Sequence, residues 1–144
     1  MTHRRAQLSD VPLLAELNHQ LIRDEGHRNA MTVSELAQRL QGWLESGEYA
    51  AVIFEADAEV AAYALYREQS TEIYLRQFFV VRHRRTQGHG RAALETLLGS
   101  VWPKDKRLTV EVLADNAPAI AFYRSLGYAD YSLSLERLPA TRAV

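Results

Sequence analysis

Two glycines separated by one residue, Gly88 and Gly90, lie between a dense apolar run at residues 78–81 and a helical pattern. Glycine lets the backbone turn tightly, and such a turn directs successive amide N–H groups at one anion. The positive end of the helix dipole points at the same place. Basic side chains add further charge around this turn: Arg82, His83, Arg84, Arg85 and Arg91. The segment therefore predicts a site for the phosphate groups of a ligand.

Two polar residues that could also contact a ligand lie on a helix predicted to begin at Asn116. Asn116 and Tyr123 are seven residues apart, which places them about 20° apart around a helix and roughly 10 Å apart along its axis. An amide and a phenol thus share one face and can both reach along an extended ligand. A tyrosine on an apolar helix face is also often a core residue, so both interpretations stay open.

The elements that position these residues follow from apolar periodicity and turn signals. Helices are predicted from residue 10 to a polar loop at 24–29, from Thr32 to residue 46, over 90–101, and from Asn116 to Gly127. Strands are predicted at residues 2–7, 49–55, 60–67, 72–81, 107–113 and 128–137. The order β-α-α-β-β-β-α-β-α-β predicts a mixed α+β fold, a mostly antiparallel sheet with helices on both faces.

Composition excludes several classes of protein. The 144 residues suit one domain spanning residues 1–144. A net charge of −1 argues against a general nucleic-acid binder. The chain has no cysteine, and its histidines lack metal-ligand spacing, so we expect no metal site. Without an apolar run of about 18 residues or a secretory segment, we expect no membrane partner and a cytoplasmic location.

The glycine segment also fits a dinucleotide-binding fingerprint. Residues 88–93 satisfy Gly-x-Gly-x-x-Ala, and Glu111 falls about 20 residues further on. In that fold the first glycine ends the strand, whereas here the basic residues 82–87 separate the strand from Gly88. Too few residues follow Gly90 for the remaining strand–helix units. A dinucleotide-binding protein is therefore the weaker alternative.

Residues 85–90, Arg-Thr-Gln-Gly-His-Gly, resemble the Arg/Gln-x-x-Gly-x-Gly/Ala signature of the GNAT superfamily of acyl-CoA-dependent N-acetyltransferases. The pattern Asn-x-x-Ala-x-x-Phe-Tyr-x-x-x-Gly-Tyr at residues 116–128 resembles a second block of that family. The resemblance covers residues 72–128, and the N-terminal half matches in element order. It implies an acyl-CoA N-acyltransferase fold with one splayed parallel strand pair, and transfer of an acetyl group from acetyl-CoA to a primary amine. A CoA-binding sensor without activity is the alternative on the same fold.

The resemblance also implies roles for individual residues. Pyrophosphate would bind the amides at residues 87–90, and the pantetheine arm would pair with the strand before the loop. Tyr123 would protonate the CoA thiolate, and Asn116 would hydrogen-bond the pantetheine region. No acyl-enzyme is expected, since there is no cysteine and no serine in a nucleophile-elbow context. The implied cofactor-binding residues are Phe79, Val80, Val81, Arg85, Thr86, Gln87, Gly88, His89, Gly90, Arg91 and Asn116.

The general base is less directly indicated. Many members of the family carry a carboxylate midway along the strand before the loop, where this chain has Tyr74 and Arg76 beside Gln77. Glu111 lies in a predicted strand of a βαβ unit, where parallel strands are normally apolar, so its charge needs a partner or a role. Glu111 is the predicted catalytic base, with Glu72 and a chain of water molecules as alternatives.

Asp24 and Glu25 lie in the predicted loop between the first two helices, which in the GNAT superfamily commonly borders the acceptor site. Together with Glu72 they are the candidate substrate-binding residues, and their charge favours a cationic amine, as a small molecule or a peptide. A solvated surface loop is the competing interpretation. A homodimer is also possible, because a partner chain could cover the last strand.

Overall fold

The computed structural model describes residues 1–140 of the chain. The chain forms two compact units, Met1–Glu111 and Val112–Val144. The first unit contains a sheet and three α-helices, and the described residues of the second unit contain one α-helix.

The first unit is built on a five-stranded sheet whose strands neighbour one another in chain order. The first four strands pair antiparallel, and the last pair is parallel. This mixed, mostly antiparallel sheet confirms the predicted fold class. The strands are β1 (Thr2–Arg5), β2 (Ala50–Ala56), β3 (Glu59–Glu68), β4 (Glu72–Val80) and β5 (Arg107–Val110).

The helices of the first unit are α1 (Val11–Glu25), α2 (Val33–Ser46) and α3 (His89–Thr96), and the second unit contains α4 (Ala117–Ser125). Helix α2 begins with the predicted capping box. The Thr32 hydroxyl accepts from the Glu35 N–H at 3.1 Å, and the Glu35 carboxylate accepts from the Thr32 N–H at 3.0 Å. These two bonds satisfy donors that a helix start otherwise leaves open.

Helices cover both faces of the sheet. On one face the apolar stripes of α1 and α2 pack on the strands in a single core cluster, in which Leu14, Ile53 and Tyr63 are almost fully buried. Helix α3 contacts β3 and β4. Just after it, the ring of Trp102 packs edge-on against Tyr66 at 5.4 Å between centroids. Tyr66 points to the face opposite Tyr63, because side chains alternate along a strand.

Three element ends differ from the sequence prediction. Helix α1 continues through Asp24 and Glu25, which were expected in a loop. The helix predicted over residues 90–101 is α-helical only to Thr96, and Leu97–Val101 forms a wider π turn. Strand β5 ends at Val110, so Glu111 lies outside the strand in which it was predicted.

The predicted final strand at residues 128–137 is also wrong. Within residues 1–140, none after Val110 belongs to a strand. The alternation of apolar and polar residues is present in the sequence, but alternation only shows which side chains would share a face. A strand also needs a neighbour to supply ladder hydrogen bonds, and periodicity carries no information about that neighbour.

Candidate active site

The chain turns sharply where β4 ends and α3 begins. A short 3₁₀ turn at Arg82–Arg84 is followed by two left-handed positions, Thr86 at φ +63° and Gly88 at φ +80°. Gly88 is the N-cap of α3 and, as a glycine, has no side chain that could cap the helix. The N-cap therefore leaves the start of the helix open to an external acceptor, and the helix dipole adds partial positive charge there. The tight turn expected from the glycine pair is thus present.

Hydrogen bonds hold the turn in shape. The Gln87 side-chain amide donates to the carbonyl of His83 at 3.2 Å. The ring Nδ1 of His89 lies 3.2 Å from the carbonyl of Arg84, and the N–H of Arg84 donates to Val81 at 2.8 Å. The loop backbone is therefore fixed largely by its own polar groups.

The arginines before Gly88 are paired with carboxylates. Arg82 and Arg85 both bind Asp24 near the end of α1, at 2.7 Å and 2.8 Å. Arg84 reaches the turn between β2 and β3, where it binds Asp57 at 2.9 Å and Glu59 at 3.0 Å. These contacts fix the loop to α1 and to the β2–β3 turn.

The pairing with two arginines stabilises the ionised form of Asp24. Hydrogen bonds from Arg82, and then from Arg85, hold the pKa of Asp24 below its usual range although partial burial opposes them. The carboxylate that led us to expect a cationic acceptor is thus already matched by two guanidinium groups. The carboxylate of Glu25, the other candidate substrate-binding residue of this segment, lies 3.2 Å from the ring Nε2 of His27.

One edge of β4 is open next to the loop. Strand β5 pairs only with Glu72–Leu75, so the sheet splays beyond Leu75. Among the described strands, only β3 pairs with residues 76–80 of β4. One carbonyl near this open edge, that of Val80, accepts from Arg85 Nε at 3.0 Å. The remaining backbone groups on this side form an edge that an extended ligand can join.

A bulge in β4 changes which side chains share a face. Leu65 pairs with Gln77 and Tyr66 with Leu75, so Arg76 is an extra residue in β4. The bulge shifts the alternation by one position. Tyr74 consequently shares a face with Gln77, the face on which α1 and α2 pack.

Arg76 belongs to a group of arginine and aromatic side chains on this face, which we call the basic–aromatic cluster. The guanidinium carbons of Arg39 and Arg76 lie 4.6 Å and 4.7 Å from the ring centroid of Trp43. Arg67 lies 5.5 Å from the rings of both Tyr49 and Tyr74. The cluster consists of Arg39, Trp43, Tyr49, Arg67, Tyr74 and Arg76.

Sequence reasoning missed most of this cluster. Arg39 and Trp43 are four residues apart on α2, a spacing that places them on one helix face, and this was the one signal available. Tyr49 and Arg67 come together only through the register of β2, β3 and β4. That register cannot be read from any one segment.

The two candidate bases have different surroundings. Glu72 pairs with Arg107 across the parallel strands at 2.8 Å. Glu111 is exposed just after β5, close enough to act on Tyr74. Burial, and then the charge of Glu111, raise the pKa of the Tyr74 phenol.

In the second unit, α4 carries the predicted polar pair. The Asn116 side chain accepts from the Ala119 N–H at 3.3 Å and so caps the helix as expected, with a proline in the first turn. The ring of Tyr123 lies between two aromatic neighbours, 5.3 Å from Phe122 and 5.4 Å from Tyr128. The chain turns at Gly127, which has φ +96°.

Metal-binding groups and membrane-spanning helices are both absent from the described part of the chain. Across residues 1–140 there is no group of three or more histidine or carboxylate side chains arranged to hold a metal ion. No helix in that range is long and apolar enough to cross a membrane.

An open strand edge that leads into a helix whose N-cap is a glycine is an arrangement that favours an extended, anionic ligand. The family model described as the acetyltransferase (GNAT) family matches residues 15–128. The chain belongs to this family.

Solved structures agree with the fold. A possible acetyltransferase from Clostridium difficile 630 has a TM-score of 0.80 at 14% identity, over 98% of each chain. A predicted acetyltransferase from Clostridium acetobutylicum, solved with acetyl-CoA, has a TM-score of 0.73 at 17% identity over 95% of each chain. Aminoglycoside antibiotic 6'-N-acetyltransferase AAC(6')-IG from Acinetobacter haemolyticus has a TM-score of 0.74 at 16% identity, over 99% of this chain and 100% of that one. No curated protein matches the sequence.

Proposed function

We propose that the protein is an N-acetyltransferase that transfers the acetyl group of acetyl-CoA to a primary amine by direct attack. The observation that carries the proposal is the glycine N-cap of α3 at Gly88, directly after the open edge of β4. Membership of the GNAT family and the likeness to an acetyltransferase solved with acetyl-CoA support the same donor. We further propose that residues 1–144 form one N-acetyltransferase domain, since the family match spans both compact units.

The donor would bind along β4 and the loop. The pyrophosphate would accept from the N–H groups at residues 87–90, where the helix dipole and the turn favour an anion. The pantetheine arm would lie along Phe79, Val80 and Val81 and pair as an added strand does, chiefly through Val80, because the N–H of Val81 already donates to the Ala61 carbonyl. Asn116 would hydrogen-bond the pantetheine region through its remaining polar atoms. The side chains of residues 85–91 would border the phosphates, with Arg85 already positioned by Asp24.

The chemistry needs no covalent enzyme intermediate. The neutral amine nitrogen attacks the thioester carbonyl carbon, and a C–N bond forms as the oxygen becomes an oxyanion. The N–H of Val80 would donate to that oxyanion, because the N–H of Val81 already donates to the Ala61 carbonyl at 2.8 Å and neighbouring residues of a strand direct their N–H groups to opposite edges. Collapse breaks the C–S bond, and Tyr123 would give its proton to the departing thiolate. The proton lost by the amine passes to the base.

We propose Glu111 as that base. It is exposed at the end of β5 and acts electrostatically on Tyr74, on the strand that would bind the donor. Glu72 is the weaker candidate, because its carboxylate is engaged by Arg107 at 2.8 Å. A chain of water molecules that carries the proton to solvent is the remaining alternative.

Acetyl-CoA consumption across a panel of small amines and short peptides tests the proposal, together with calorimetry of CoA, NAD and ATP. We expect binding of CoA alone and release of CoA thiol with at least one amine. CoA binding without any transfer would support the sensor alternative, whereas preferred binding of NAD would refute the proposed donor.

A further inference from the structure

The basic–aromatic cluster lies next to the place where the thioester would bind. Arg76 is the bulged residue of β4 and also the first residue of its open edge. The strand segment proposed to bind pantetheine begins three residues further on, at Phe79, and three residues along a strand span about 10 Å. The cluster occupies the face of the sheet on which α1 and α2 pack.

Among the described residues, few carboxylates lie near the positive charges of the cluster. Its only carboxylate within 4 Å, among the described residues, is Glu48, whose oxygen is 3.9 Å from Arg67 Nη1. The arginines near the glycine loop, in contrast, have carboxylates at 2.7–3.0 Å. Arg39 and Arg76 even share one aromatic ring, Trp43. Like charges held this close favour the binding of an anion between them.

The guanidinium groups also have few acceptors. Arg76 donates to the Tyr49 hydroxyl at 3.3 Å, and Arg39 donates to the Met31 sulfur at 3.4 Å. The Nε atoms of Arg39 and Arg67 are buried and have no partner among the described residues. Each guanidinium has five N–H donors, so most of the donors of Arg39 and Arg76 have no acceptor among the described residues. Burial, and then the charge of Arg76, lower the pKa of Arg39.

Tyr74 connects this cluster to the proposed base. Its ring lies 5.5 Å from the guanidinium carbon of Arg67, and its phenol responds to the charge of Glu111. A ligand beside Tyr74 would therefore meet the guanidinium group of Arg67. Guanidinium groups are complementary to a ligand that carries an acidic group.

We propose that the basic–aromatic cluster binds the carboxylate of the acceptor, so that the acceptor is a small primary amine that also carries a carboxylate. The inference rests on the proposed acetyl transfer for the role of the amine. Planar guanidinium groups fit a carboxylate in two-pronged geometry, and the half-buried rings of Trp43 and Tyr74 offer apolar surface beside it.

Matched pairs of compounds test the inference. Phenylalanine with phenethylamine, and 4-aminobutyrate with butylamine, differ only in the carboxylate. O-phosphoethanolamine with ethanolamine tests a phosphate in its place. Binding is measured by calorimetry with CoA present and with CoA absent, and acetylation is measured separately. We expect the carboxylate of at least one pair to improve affinity or KM by about 10-fold or more, the size of one charge-assisted hydrogen bond.

Variants assign the effect to the cluster. Arg76→Gln should raise KM for the acidic partner about 10-fold, with kcat, KM for acetyl-CoA and KM for the plain amine unchanged. Arg76→Glu should reverse the preference between the two members of a pair. Arg5→Gln is the control, because Arg5 is exposed on β1 and pairs in register with Val52 on the opposite face of the sheet.

The outcomes separate this inference from the proposed function. If plain amines are acetylated at least as well as their acidic partners, the inference is overturned and the proposed function stands. If acids bind, lose affinity in Arg76→Gln and are not acetylated while other amines are, the cluster is an anion site that does not hold the acceptor, so the inference is overturned and the proposed function stands. The proposed function fails only if no amine of any kind is acetylated. Preference for the phosphate compound, or equal loss in Arg5→Gln, also overturns the carboxylate assignment.

Discussion

Replacement of Gly88 by valine tests the donor site most directly, because the chain contains a matched control. Gly88 has φ +80° and ψ 4°, and Gly47, after α2, has φ +77° and ψ 5°. A Cβ atom added at either glycine would meet no heavy atom within 4 Å. The Cβ atom therefore meets no clash with other parts of the protein at either position, and the left-handed backbone conformation is the obstacle that both substitutions share. Any difference between Gly88→Val and Gly47→Val must come from what each glycine does.

The loss of stability should be similar in the two variants. A left-handed conformation costs an L-residue about 1–2 kcal/mol, and β-branched valine lies at the upper end. For a chain of this size, about 2 kcal/mol corresponds to a Tm lower by roughly 5–8 °C. Domains are typically stable by about 5–15 kcal/mol, so both variants should remain folded at 25 °C.

The loss of donor affinity should occur at one position only. Valine at position 88 drives the backbone out of the left-handed region and turns the neighbouring N–H groups away from the proposed pyrophosphate. A hydrogen bond to a charged group contributes about 1.5–3 kcal/mol, so the loss of one bond weakens CoA binding by about 10- to 100-fold. Gly47→Val leaves that contact intact.

Differential scanning fluorimetry gives the two Tm values, and calorimetry with CoA at 15 °C gives the two Kd values. If Gly88→Val binds CoA within about 3-fold of Gly47→Val, the pyrophosphate does not rest on the start of α3. If both variants lose affinity equally, the loss reflects general destabilisation and the reasoning from the loop is wrong.

Further predictions concern the proposed catalytic groups and two features of the fold. Tyr123→Phe should lower kcat by about 10²- to 10⁴-fold with little change in KM for acetyl-CoA; steady-state kinetics with an unchanged kcat would refute its role. Glu111→Gln should remove the acidic limb of the pH–rate profile, and an unaltered limb would exclude it as the base. Asp24→Asn should lower Tm by about 2–4 °C at pH 7. Because the folded-state pKa of Asp24 is lowered, the paired carboxylate stabilises the fold at neutral pH, and the gap should close as the pH falls through that lowered pKa. Ala58→Gly should stabilise the protein by about 0.5–1 kcal/mol, since Ala58 has φ +63° in the β2–β3 turn; a lower midpoint in urea would contradict this.

The fold was largely predictable because its signals are local. The capping box at Thr32, the apolar stripes of α1 and α2, and the break at the glycine pair each depend on residues within a few positions of one another. The same holds for the Asn116 cap of α4. Predictions failed where the outcome depends on a distant neighbour, as at residues 128–137, where the alternation is present and no strand forms.

The candidate site was less predictable because its charges are assigned by tertiary contacts. The basic run before Gly88 predicts a positive surface, yet Asp24 and Asp57 arrive from other elements and pair with it. The acidic end of α1 likewise predicts a negative surface, but the ion pairs with Arg82 and Arg85 neutralise the charge of Asp24. Both expectations treated a side chain as free because its partner was distant in sequence.

The bulge at Arg76 brings charges together instead of pairing them. It therefore explains why the basic–aromatic cluster was not predicted from the sequence. Strict alternation along β4 would put Tyr74 and Gln77 on opposite faces. One extra residue reverses that parity for everything before it, so Tyr74 faces the same side as Arg67, its partner in the register. A single backbone irregularity thus brings arginines and aromatic rings together beside the open edge of β4. Since Glu48 is the only carboxylate of the described residues within 4 Å of these arginines, the balancing charge is best supplied by a ligand, and an acidic acceptor supplies it next to the proposed thioester.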